Sequence, residues 1–391
     1  MYKMNKIIFY LWFCASAYIA GAQTIVSISG KIVDSDSGQP LPYCNCYLKN
    51  SNVGTSTGGE GRFAIKTRKD VLPDTLQIQF VGYESKKIAL SAKNTDLGTV
   101  ALKPYVTELK SITVSAKPTN WNKVLKTVFD SCIYKAYPSP SVATTYYKAI
   151  ANYRFEEKVE VALDVLFPEK QKKRSNRNGL FFSNCGKPDE SFYVTGLRKT
   201  MRGKLDTHPE KSPNIYGIFD CNGLSLLLNS NIYFNKNIMF EKEMEKASYT
   251  LERIDTIEGN KVLTLSGIIH KQDKTTKLKI CFDPRRHTIY NYEVVLISYS
   301  KKGQSTRTIK YNYRVTDGYA MPLCFSYIST EEDATKGETY FEVYEALFSN
   351  IRPASDSVKS VFGKEASGKN SFEFQGITYD KEFWDNYTVI E

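Results

Sequence analysis

The 391-residue sequence contains few histidines, and this scarcity limits the metal chemistry that the chain can carry. Zinc peptidases hold their metal with a His-x-x-Glu pair and a distant third ligand, which leaves one position open for water. The three histidines are His208, His270 and His287, and none of them has a glutamate three residues later. The sequence therefore predicts no peptidase zinc centre, and we expect no metal-binding residue.

Motifs for other reactions are also missing. The sequence has no phosphate-binding loop ending in Gly-Lys-Ser/Thr, no dinucleotide fingerprint after a strand and no strand-to-helix nucleophile elbow. Adjacent carboxylates, as in Glu156-Glu157 and Glu331-Glu332-Asp333, are typical of solvated surface rather than of a paired acid and base. We therefore predict no catalytic residue and no bound cofactor.

Long apolar runs are absent except at the N-terminus. Lys3 and Lys6 precede the uncharged run Ile7–Ile19, and small residues follow as far as Ala22. This order is typical of a secretory signal peptide over residues 1–22, and the run is shorter than the ~20 residues of a membrane-spanning helix. We expect export to the periplasm or the outer membrane, with an uncleaved N-terminal anchor helix as the alternative.

The cysteines do not form a disulfide framework. Of eight cysteines, Cys14 would leave with the signal peptide, and an odd number remains, scattered along the chain. An odd, scattered set argues against the dense disulfides of small exported domains. Cys44 and Cys46 are two residues apart, so in a strand both side chains would point to the same face. We interpret them as buried small side chains rather than as a metal or redox pair.

Residues 23–116 consist of short alternating runs separated by Gly, Pro and Asp turns. One clear run is Leu76–Phe80, in which apolar and polar side chains alternate, and five to seven such strands fit into this segment. Short strands at this spacing predict a small β-sandwich.

Four motifs in this segment resemble the carboxypeptidase regulatory-like domain that is common in exported proteins of Bacteroidota. Thr57-Gly58-Gly59-Glu60 departs mildly from the family pattern. The resemblance implies a transthyretin-like sandwich that is not itself catalytic. The motifs are Ser29–Asp34, Gly38–Pro42, Gly54–Thr57 leading to Gly61–Phe63, and Phe80–Tyr83.

Residues 117–140 are predicted to form a linking amphipathic helix. Thr119 or Asn120 can cap its N-terminus, and the helix should end near Ala136 because prolines follow. Its apolar residues recur at helical spacing and form one stripe suited to docking on a sheet. They are Trp121, Val124, Leu125, Val128, Phe129, Cys132 and Ile133.

Residues 141–391 are predicted to form a larger antiparallel β domain, so the whole chain is mainly β. Tyr146–Leu166 reads as strand, with a helix at Phe155–Leu166 as the alternative, and Leu224–Leu228 favours a short helix. The alternation in Ser305–Thr316 predicts one packed and one solvated face. The domain resembles the half-barrel of lipoprotein carriers, a sheet curled around a helix. The predicted meander strands are Ser248–Ile254, Lys261–His270, Thr275–Phe282, Thr288–Ser298, Ser305–Thr316, Ala320–Ile328 and Thr339–Ser349.

The formal charge of +11 comes mainly from residues 117–214. In an exported protein, such a segment suggests contact with anionic lipid, lipopolysaccharide or acidic glycan rather than nucleic acid, while a solvated loop is the alternative. The residues expected to make this contact are Lys170, Lys172, Lys173, Arg174, Arg177, Arg198, Lys199, Arg202 and Lys204.

Together these features favour a non-enzymatic binding or assembly protein of the cell envelope. Its expected partner is an envelope protein, a glycan or a lipid, with peripheral association at the outer membrane. A periplasmic carrier of lipid or acyl chains is the alternative, and an enzyme of unknown type is the third hypothesis.

Overall fold

The computed structural model is mainly β, with a small sandwich followed by one large antiparallel sheet. In the part of the chain described here, no helix is both long and apolar enough to span a bilayer. The predicted signal peptide lies outside the described residues. The described residues are 25–42, 44–50, 54–80, 83–104, 119–137, 140–152, 157–167, 192–208, 226–227, 230–233, 246–257, 259–316, 318–362 and 378–386.

The sandwich pairs a three-stranded sheet, ordered β4-β1-β7, with a four-stranded sheet, ordered β3-β2-β5-β6. Alternating residues such as Phe63 and Ile65 on β4, and Leu76 and Ile78 on β5, point inward and form one buried cluster. The expected β-sandwich is therefore confirmed. Its strands are β1 (Ile25–Asp34), β2 (Asn45–Leu48), β3 (Gly54–Ser56), β4 (Arg62–Arg68), β5 (Asp74–Gln79), β6 (Lys86–Leu90) and β7 (Asp96–Leu102).

A single amphipathic helix, α1 (Trp121–Cys132), follows the sandwich and continues into a 3₁₀ turn at Ile133–Lys135. Its N-terminus is capped by Asn120, whose Oδ1 accepts a hydrogen bond from the backbone N–H of Lys123 at 3.0 Å. Leu125, Val128 and Cys132 are buried. The predicted helix and its apolar stripe are confirmed.

The large sheet has eleven antiparallel strands and remains open, with β11 and β12 at its edges. All seven predicted meander strands are present, whereas the alternative helix at Phe155–Leu166 is wrong because its described residues, Glu157–Leu166, form a strand that pairs with β8. Two short helices, α2 (Asp356–Lys359) and α3 (Lys381–Asn386), follow the sheet. The strands are β8 (Ser141–Ala151), β9 (Glu157–Phe167), β10 (Phe192–Met201), β11 (Lys204–Asp206), β12 (Ser248–Ile257), β13 (Asn260–Lys271), β14 (Lys274–Asp283), β15 (Thr288–Ser300), β16 (Gly303–Thr316), β17 (Tyr319–Asp333) and β18 (Glu338–Pro353).

One face of this sheet, the inner face, packs against α1 and forms the main core. Leu227, Ile232 and Tyr233 belong to the same buried cluster as α1 and the inner face. A line of residues in register crosses the sheet on this face, and every member is buried. We call it the inner row: Leu265, Ile280, Tyr292, Tyr311, Phe325, Ala346, Tyr147, Val161 and Leu197.

The opposite, outer face carries a neighbouring line of mostly smaller residues, which we call the outer row. The expectation that this face is solvated is wrong for β16, where Arg314 is only 7 % exposed. It is covered because the sandwich packs on this part of the sheet, through contacts of β3 with β17 and β18. The outer row is Thr264, Cys281, Asn291, Asn312, Cys324, Leu347, Tyr146, Ala162 and Gly196.

Close contacts fix the sandwich on the outer face. The Arg314 guanidinium lies 5.2 Å from the centre of the Tyr47 ring, a cation–π contact between the two units. A Cβ at Gly54 would lie 2.6 Å from Tyr47 Cβ and 3.0 Å from Arg314 Nη1, so only glycine permits this approach. Farther along the outer face, α3 docks through Trp384, whose Nε1 donates to the Leu197 carbonyl at 3.1 Å.

Candidate ligand-binding cleft

A cavity of about 300 Å³ lies between the sandwich and the outer face of the large sheet. This volume is at the lower end of the range for small-molecule sites in proteins. Segments far apart in the sequence form its two walls. It is lined by Asn45, Gln79, Phe80, Tyr83, Glu84, Ser85, Asp255, Thr256, Ile257, Tyr290, Asn291, Asn312, Tyr313 and Leu323.

The sandwich wall combines amides with aromatic rings. Asn45 of β2 and Gln79 of β5 are register partners, and the next residue, Phe80, begins the loop leading to Tyr83. The Phe80 and Tyr83 rings lie 5.4 Å apart at 41°. The Tyr83 hydroxyl donates to Asp34 Oδ2 at 2.6 Å, which holds the Tyr83 ring in place.

This hydrogen bond shifts the pKa values of Asp34 and Tyr83 in the directions expected for a carboxylate beside a phenol. Hydrogen bonds from the Tyr83 hydroxyl and the Ser37 backbone N–H lower the pKa of Asp34 to about 2. Partial burial and the Asp34 carboxylate raise the pKa of Tyr83 to about 12. At neutral pH the pair is therefore a carboxylate that accepts from an un-ionised phenol.

The sheet wall contains two amides and two β-bulges. Asn291 and Asn312 are register partners in the outer row, and the Asn312 Nδ2 donates to Cys324 Sγ at 3.1 Å. The ladder shifts by one residue at Tyr290 on β15 and at Leu323 on β17. Bulges change the direction of side chains at the ends of strands, and both bulged residues line the cleft.

Two buried oxygen atoms in the lining have no hydrogen-bond partner. They are Asn45 Oδ1 on the sandwich wall and Asp255 Oδ1 on the sheet wall, in side chains that are 8 % and 7 % exposed. The second oxygen of Asp255 accepts from Arg253 Nε at 2.8 Å. Each atom has less than 1 Å² of accessible surface, so neither can be reached from the cavity, and both belong to the packed backing of the walls.

The lining favours recognition over chemistry. Among the described lining residues there is no Lys, Arg, His or Cys, and the acidic side chains are Asp255 and Glu84. A Gly-x-Ser-x-Gly spacing does occur at 54–58, but Ser56 lies buried on β3 rather than at a strand-to-helix turn. In the described part of the chain, no group of three or more His, Cys, Asp or Glu is placed to hold a metal ion.

The residues predicted to contact anionic partners are not part of the cleft. Lys170, Lys172, Lys173, Arg174 and Arg177 lie outside the described residues. The other four lie on β10 and on the β10–β11 hairpin, and the structure does not bring them together on one surface.

Arg198 and Lys199 occupy opposite faces of the sheet. Arg198 makes a bidentate ion pair with Glu160, at 2.8 and 2.7 Å, and stacks over Trp384. Burial alone would raise the pKa of Glu160, but hydrogen bonds from Arg198 and Tyr146 hold it below its usual value. Arg198 therefore holds α3 against the outer face.

Lys199 points to the inner face and is fully buried, with its Nζ 3.7 Å from Glu157 Oε1. Burial lowers its pKa, while the Glu157 carboxylate opposes that shift. Lys199 therefore contributes nothing to a surface. Arg202 and Lys204, in the β10–β11 hairpin, are exposed and remain placed for the predicted contact.

The described cysteines agree with the interpretation of buried small side chains. Within the described residues no disulfide is formed, and Cys44, Cys46, Cys132 and Cys281 are fully buried, while Cys324 is almost so. Burial raises the pKa of the Cys281 and Cys324 thiols to about 12. These thiols are therefore protonated and poorly nucleophilic at neutral pH.

The comparisons identify one domain. Residues 28–114 match the model of the CarboxypepD_reg-like domain family. The β-sandwich is a CarboxypepD_reg-like domain. This confirms the family that the motifs indicated, and one of those motifs contributes Phe80 and Tyr83 to the cleft. No curated protein matches the chain.

Several solved structures are similar over part of the chain, at low identity. An outer membrane lipoprotein-sorting protein domain from Vibrio parahaemolyticus is 13 % identical, with 59 % of this chain and 91 % of that chain covered and a TM-score of 0.23. A DUF1329 family protein from Desulfovibrio piger is 12 % identical, with 61 % and 93 % covered and a TM-score of 0.24. A membrane-associated protein of unknown function from Bacteroides fragilis is 10 % identical, with 83 % and 97 % covered and a TM-score of 0.17. At these TM-scores the similarities carry no functional argument.

The cleft was not predicted from the sequence. Asn45 begins β2 between two buried cysteines, and Asp255 lies near the end of β12, so each resembles an ordinary polar residue close to the end of a strand. The available signal was the Phe80–Tyr83 motif, which places two aromatic residues in a loop beside the end of β5.

Proposed function

We propose that this chain is a non-enzymatic binding protein of the cell envelope and that the cleft is its ligand site. One observation carries the proposal. The sandwich and the large sheet each form one wall of the same cavity, and both walls present amide side chains, Asn45 and Gln79 on one and Asn291 and Asn312 on the other. Amide side chains both donate and accept hydrogen bonds, so a polar ligand in this cavity can be recognised by both units of the fold.

Binding without turnover is the function that this lining supports best. General bases and nucleophiles at neutral pH are most often His, Cys or Lys, and none of these lines the described cleft. Asp255 is engaged with Arg253 and Glu84 with Lys103, at 2.8 and 3.6 Å. A carboxylate that is paired with a cation accepts hydrogen bonds and is less available as a general base.

The binding site can be tested by filling the cleft. Asn291→Trp places a large ring in the lining, while Val295→Trp places the same ring on the same strand and face, four residues away. We expect the full chain and Val295→Trp to bind the same probes and Asn291→Trp to bind none of them. Suitable probes are neutral tetrasaccharides, tetragalacturonate and tetralysine, and calorimetry measures the binding of each probe. Equal binding by all three proteins would contradict the proposed site.

The absence of turnover needs its own measurement. Each probe that binds is incubated with the full chain, and its mass is followed by mass spectrometry. We expect every probe to be recovered unchanged. A product that forms with the full chain and not with Asn291→Trp would make the protein an enzyme and would overturn the proposal.

Envelope location rests on residues 1–22 of the sequence. The prediction is that the full chain, expressed in a Gram-negative host, is found in the periplasmic or outer-membrane fraction with Gln23 as its first residue. Fractionation and N-terminal peptide mass would show this. An unprocessed chain in the cytoplasmic fraction would contradict it.

A carrier of acyl chains is the second candidate, favoured by the open sheet and its apolar inner face. Leu125, Val128 and Tyr233 occupy this face where the structure describes it, so a lipid would have to displace α1 or pack beside it. Native mass spectrometry separates the two proposals. A co-purifying lipid that is retained by Asn291→Trp would favour the carrier function. Protein that purifies without lipid would exclude that function.

A further inference from the structure

One wall of the cleft includes the end of an edge strand. Strand β12 lies at one edge of the large sheet, and among the described residues it pairs with β13 on one side and with no strand on the other. Its last residues, Asp255, Thr256 and Ile257, line the cavity, and Thr256 is exposed. An edge strand presents main-chain N–H and C=O groups to its surroundings, so the cleft offers backbone groups as well as side chains.

The turn after β12 determines which backbone groups point to the open edge. Ile257 pairs with Asn260 across a two-residue turn, in which the C=O of the first residue accepts from the N–H of the fourth. Along an antiparallel ladder, pairs that exchange hydrogen bonds alternate with pairs that do not. Thr256, opposite Lys261, therefore directs its N–H and C=O away from β13. Ile254 does the same two residues earlier.

The spacing of these groups matches an extended polypeptide. Thr256 and Ile254 are about 6.8 Å apart along the strand, and each offers one donor and one acceptor. A small molecule can reach one of these residues, but a segment in the extended conformation pairs with both. The open edge therefore favours a polypeptide ligand over other polar ligands.

A β-bulge limits the length of the open run. The ladder between β12 and β13 shifts between Leu251 and Arg253, and regular pairing continues from Arg253 to the turn. The run that a ligand can extend is therefore Ile254–Ile257. A run of this length suits a short peptide segment and not the long pairing that a second large sheet would need.

The sandwich supplies side-chain contacts beside this edge. Alternate side chains of an extended segment point to opposite faces, so a segment paired with β12 directs every second side chain towards the sandwich. There the cavity is lined by Phe80, Tyr83 and Ser85, and the amides of Gln79 and Asn291 can donate or accept hydrogen bonds. A volume of about 300 Å³ accommodates side chains and not a folded domain.

We infer that the cleft binds an extended polypeptide segment, which adds to the edge of β12 and places alternate side chains in the cavity. This inference rests on the proposed function and names its ligand class. Main-chain hydrogen bonds to Thr256 and Ile254 supply affinity, and the cavity lining selects the side chains that enter. The ligand bridges the two units, because it pairs with the sheet and contacts the sandwich.

The test uses the full chain and calorimetry with three acetylated and amidated hexapeptides, in which valine alternates with threonine, asparagine or lysine. Thr256→Pro removes an outward N–H without breaking a hydrogen bond to β13, and edge strands tolerate proline at such positions. We expect at least one hexapeptide to bind, with affinity reduced about ten-fold or more in Thr256→Pro. The same hexapeptide with every backbone nitrogen methylated should not bind.

The opposite edge of the sheet supplies a matched control. Met201 and Lys204 flank a two-residue turn, so Leu205 on the edge strand β11 also directs its N–H away from its neighbouring strand. Leu205 is not part of the cleft lining, and Leu205→Pro should bind the hexapeptide as the unchanged protein does. Hydrogen exchange tests the contact without a substitution, because the Ile254–Ile257 amides should exchange more slowly when the hexapeptide is bound.

Other outcomes overturn the inference and separate it from the proposed function. Failure of all three hexapeptides at millimolar concentration overturns it, and so does equal binding by the full chain and Thr256→Pro. If Thr256→Pro does not fold, unchanged hydrogen exchange at Ile254–Ile257 overturns it instead. If cellotetraose or tetragalacturonate binds in a way that Asn291→Trp abolishes while no hexapeptide binds, the ligand class is wrong and the proposed binding function stands. The binding function itself fails if Asn291→Trp changes the binding of no probe or if a probe is turned over.

Discussion

The two faces of the large sheet are built from the same strands, yet their side chains differ in size and polarity and pack against different parts of the chain. The inner row consists mainly of large hydrophobic residues, with the Tyr292 and Tyr311 rings stacked at 6.1 Å. One residue away, the outer row has small or polar side chains at Cys281, Asn291 and Asn312. The large side chains form a core with α1, and the small ones leave room for another unit to approach.

This contrast explains why the cleft lies where it does. The sandwich approaches the outer face closely at Gly54, where β3 meets Arg314, whereas a cavity separates the two units at Asn291. A row of large residues would fill the gap, and a row of charged residues would keep the sandwich away. Small amides leave a cavity that is polar and partly enclosed.

The largest expected effect comes from the inner row. Phe325→Ala removes a fully buried ring from the main core and should lower the free energy of unfolding by about 3–5 kcal/mol. Asn291→Ala, in the outer row, should cost under about 1 kcal/mol because it opens a cleft that already exists. Urea unfolding followed by tryptophan fluorescence measures both. Equal losses would show that the faces do not differ as described.

The contact between the sandwich and the outer face should be the next most sensitive. Gly54→Ala places a Cβ 2.9 Å from the Cys46 carbonyl and against Arg314, and should cost about 1–3 kcal/mol. Gly59→Ala is the matched control, since nothing lies within 4 Å of a Cβ there. Limited proteolysis between the units should accelerate only in Gly54→Ala. Unchanged proteolysis would mean that this close approach does not hold the sandwich.

Thiol reactivity tests whether the outer face is as well shielded as the inner face. Burial raises the pKa of Cys281 and Cys324 to about 12, so neither thiol should react with iodoacetamide at pH 8 in the folded protein. Both should react in urea. Peptide mass spectrometry gives the extent of labelling at each site, and rapid labelling of Cys324 in the folded state would indicate that the sandwich does not cover it.

The smallest effect concerns the rim of the cleft. The pKa of Asp34 is about 2, below its ordinary value, so its ionised form stabilises the folded state above about pH 4. This contribution is lost as the pH falls towards 2. The difference in Tm between the unchanged protein and Asp34→Asn should therefore be constant above about pH 5 and shrink below pH 4. A difference that persists at pH 2 would contradict the assigned hydrogen bond to Tyr83.

Local patterns predicted the elements well because each pattern depends on neighbours in the sequence. The alternation of Ile309, Tyr311 and Tyr313 identified β16 and its buried face, and the spacing of Leu125 and Val128 identified α1. The four motifs, which end with Phe80–Tyr83, identified the family to which the sandwich domain belongs. These predictions needed no knowledge of what covers each element.

What covers the outer face could not be predicted in this way. A polar face has the same alternation whether water or another domain lies against it, so Arg314 was expected in solvent. Lys199 was counted among surface cations because its burial depends on Glu157, a residue of a neighbouring strand. The cleft joins Asn45, Asp255 and Asn291, and no periodicity connects such distant positions.

The open edges of the sheet bear on how copies of the chain behave at high concentration. An unpaired strand can template the addition of another chain and so lead to polymers. Here β11 has three residues, while β12 contains a bulge at Glu252, a charged residue beside Arg253. A short strand and a bulged, charged strand both interrupt the regular ladder that a second copy would extend. The sheet can therefore stay open without becoming a seed for aggregation.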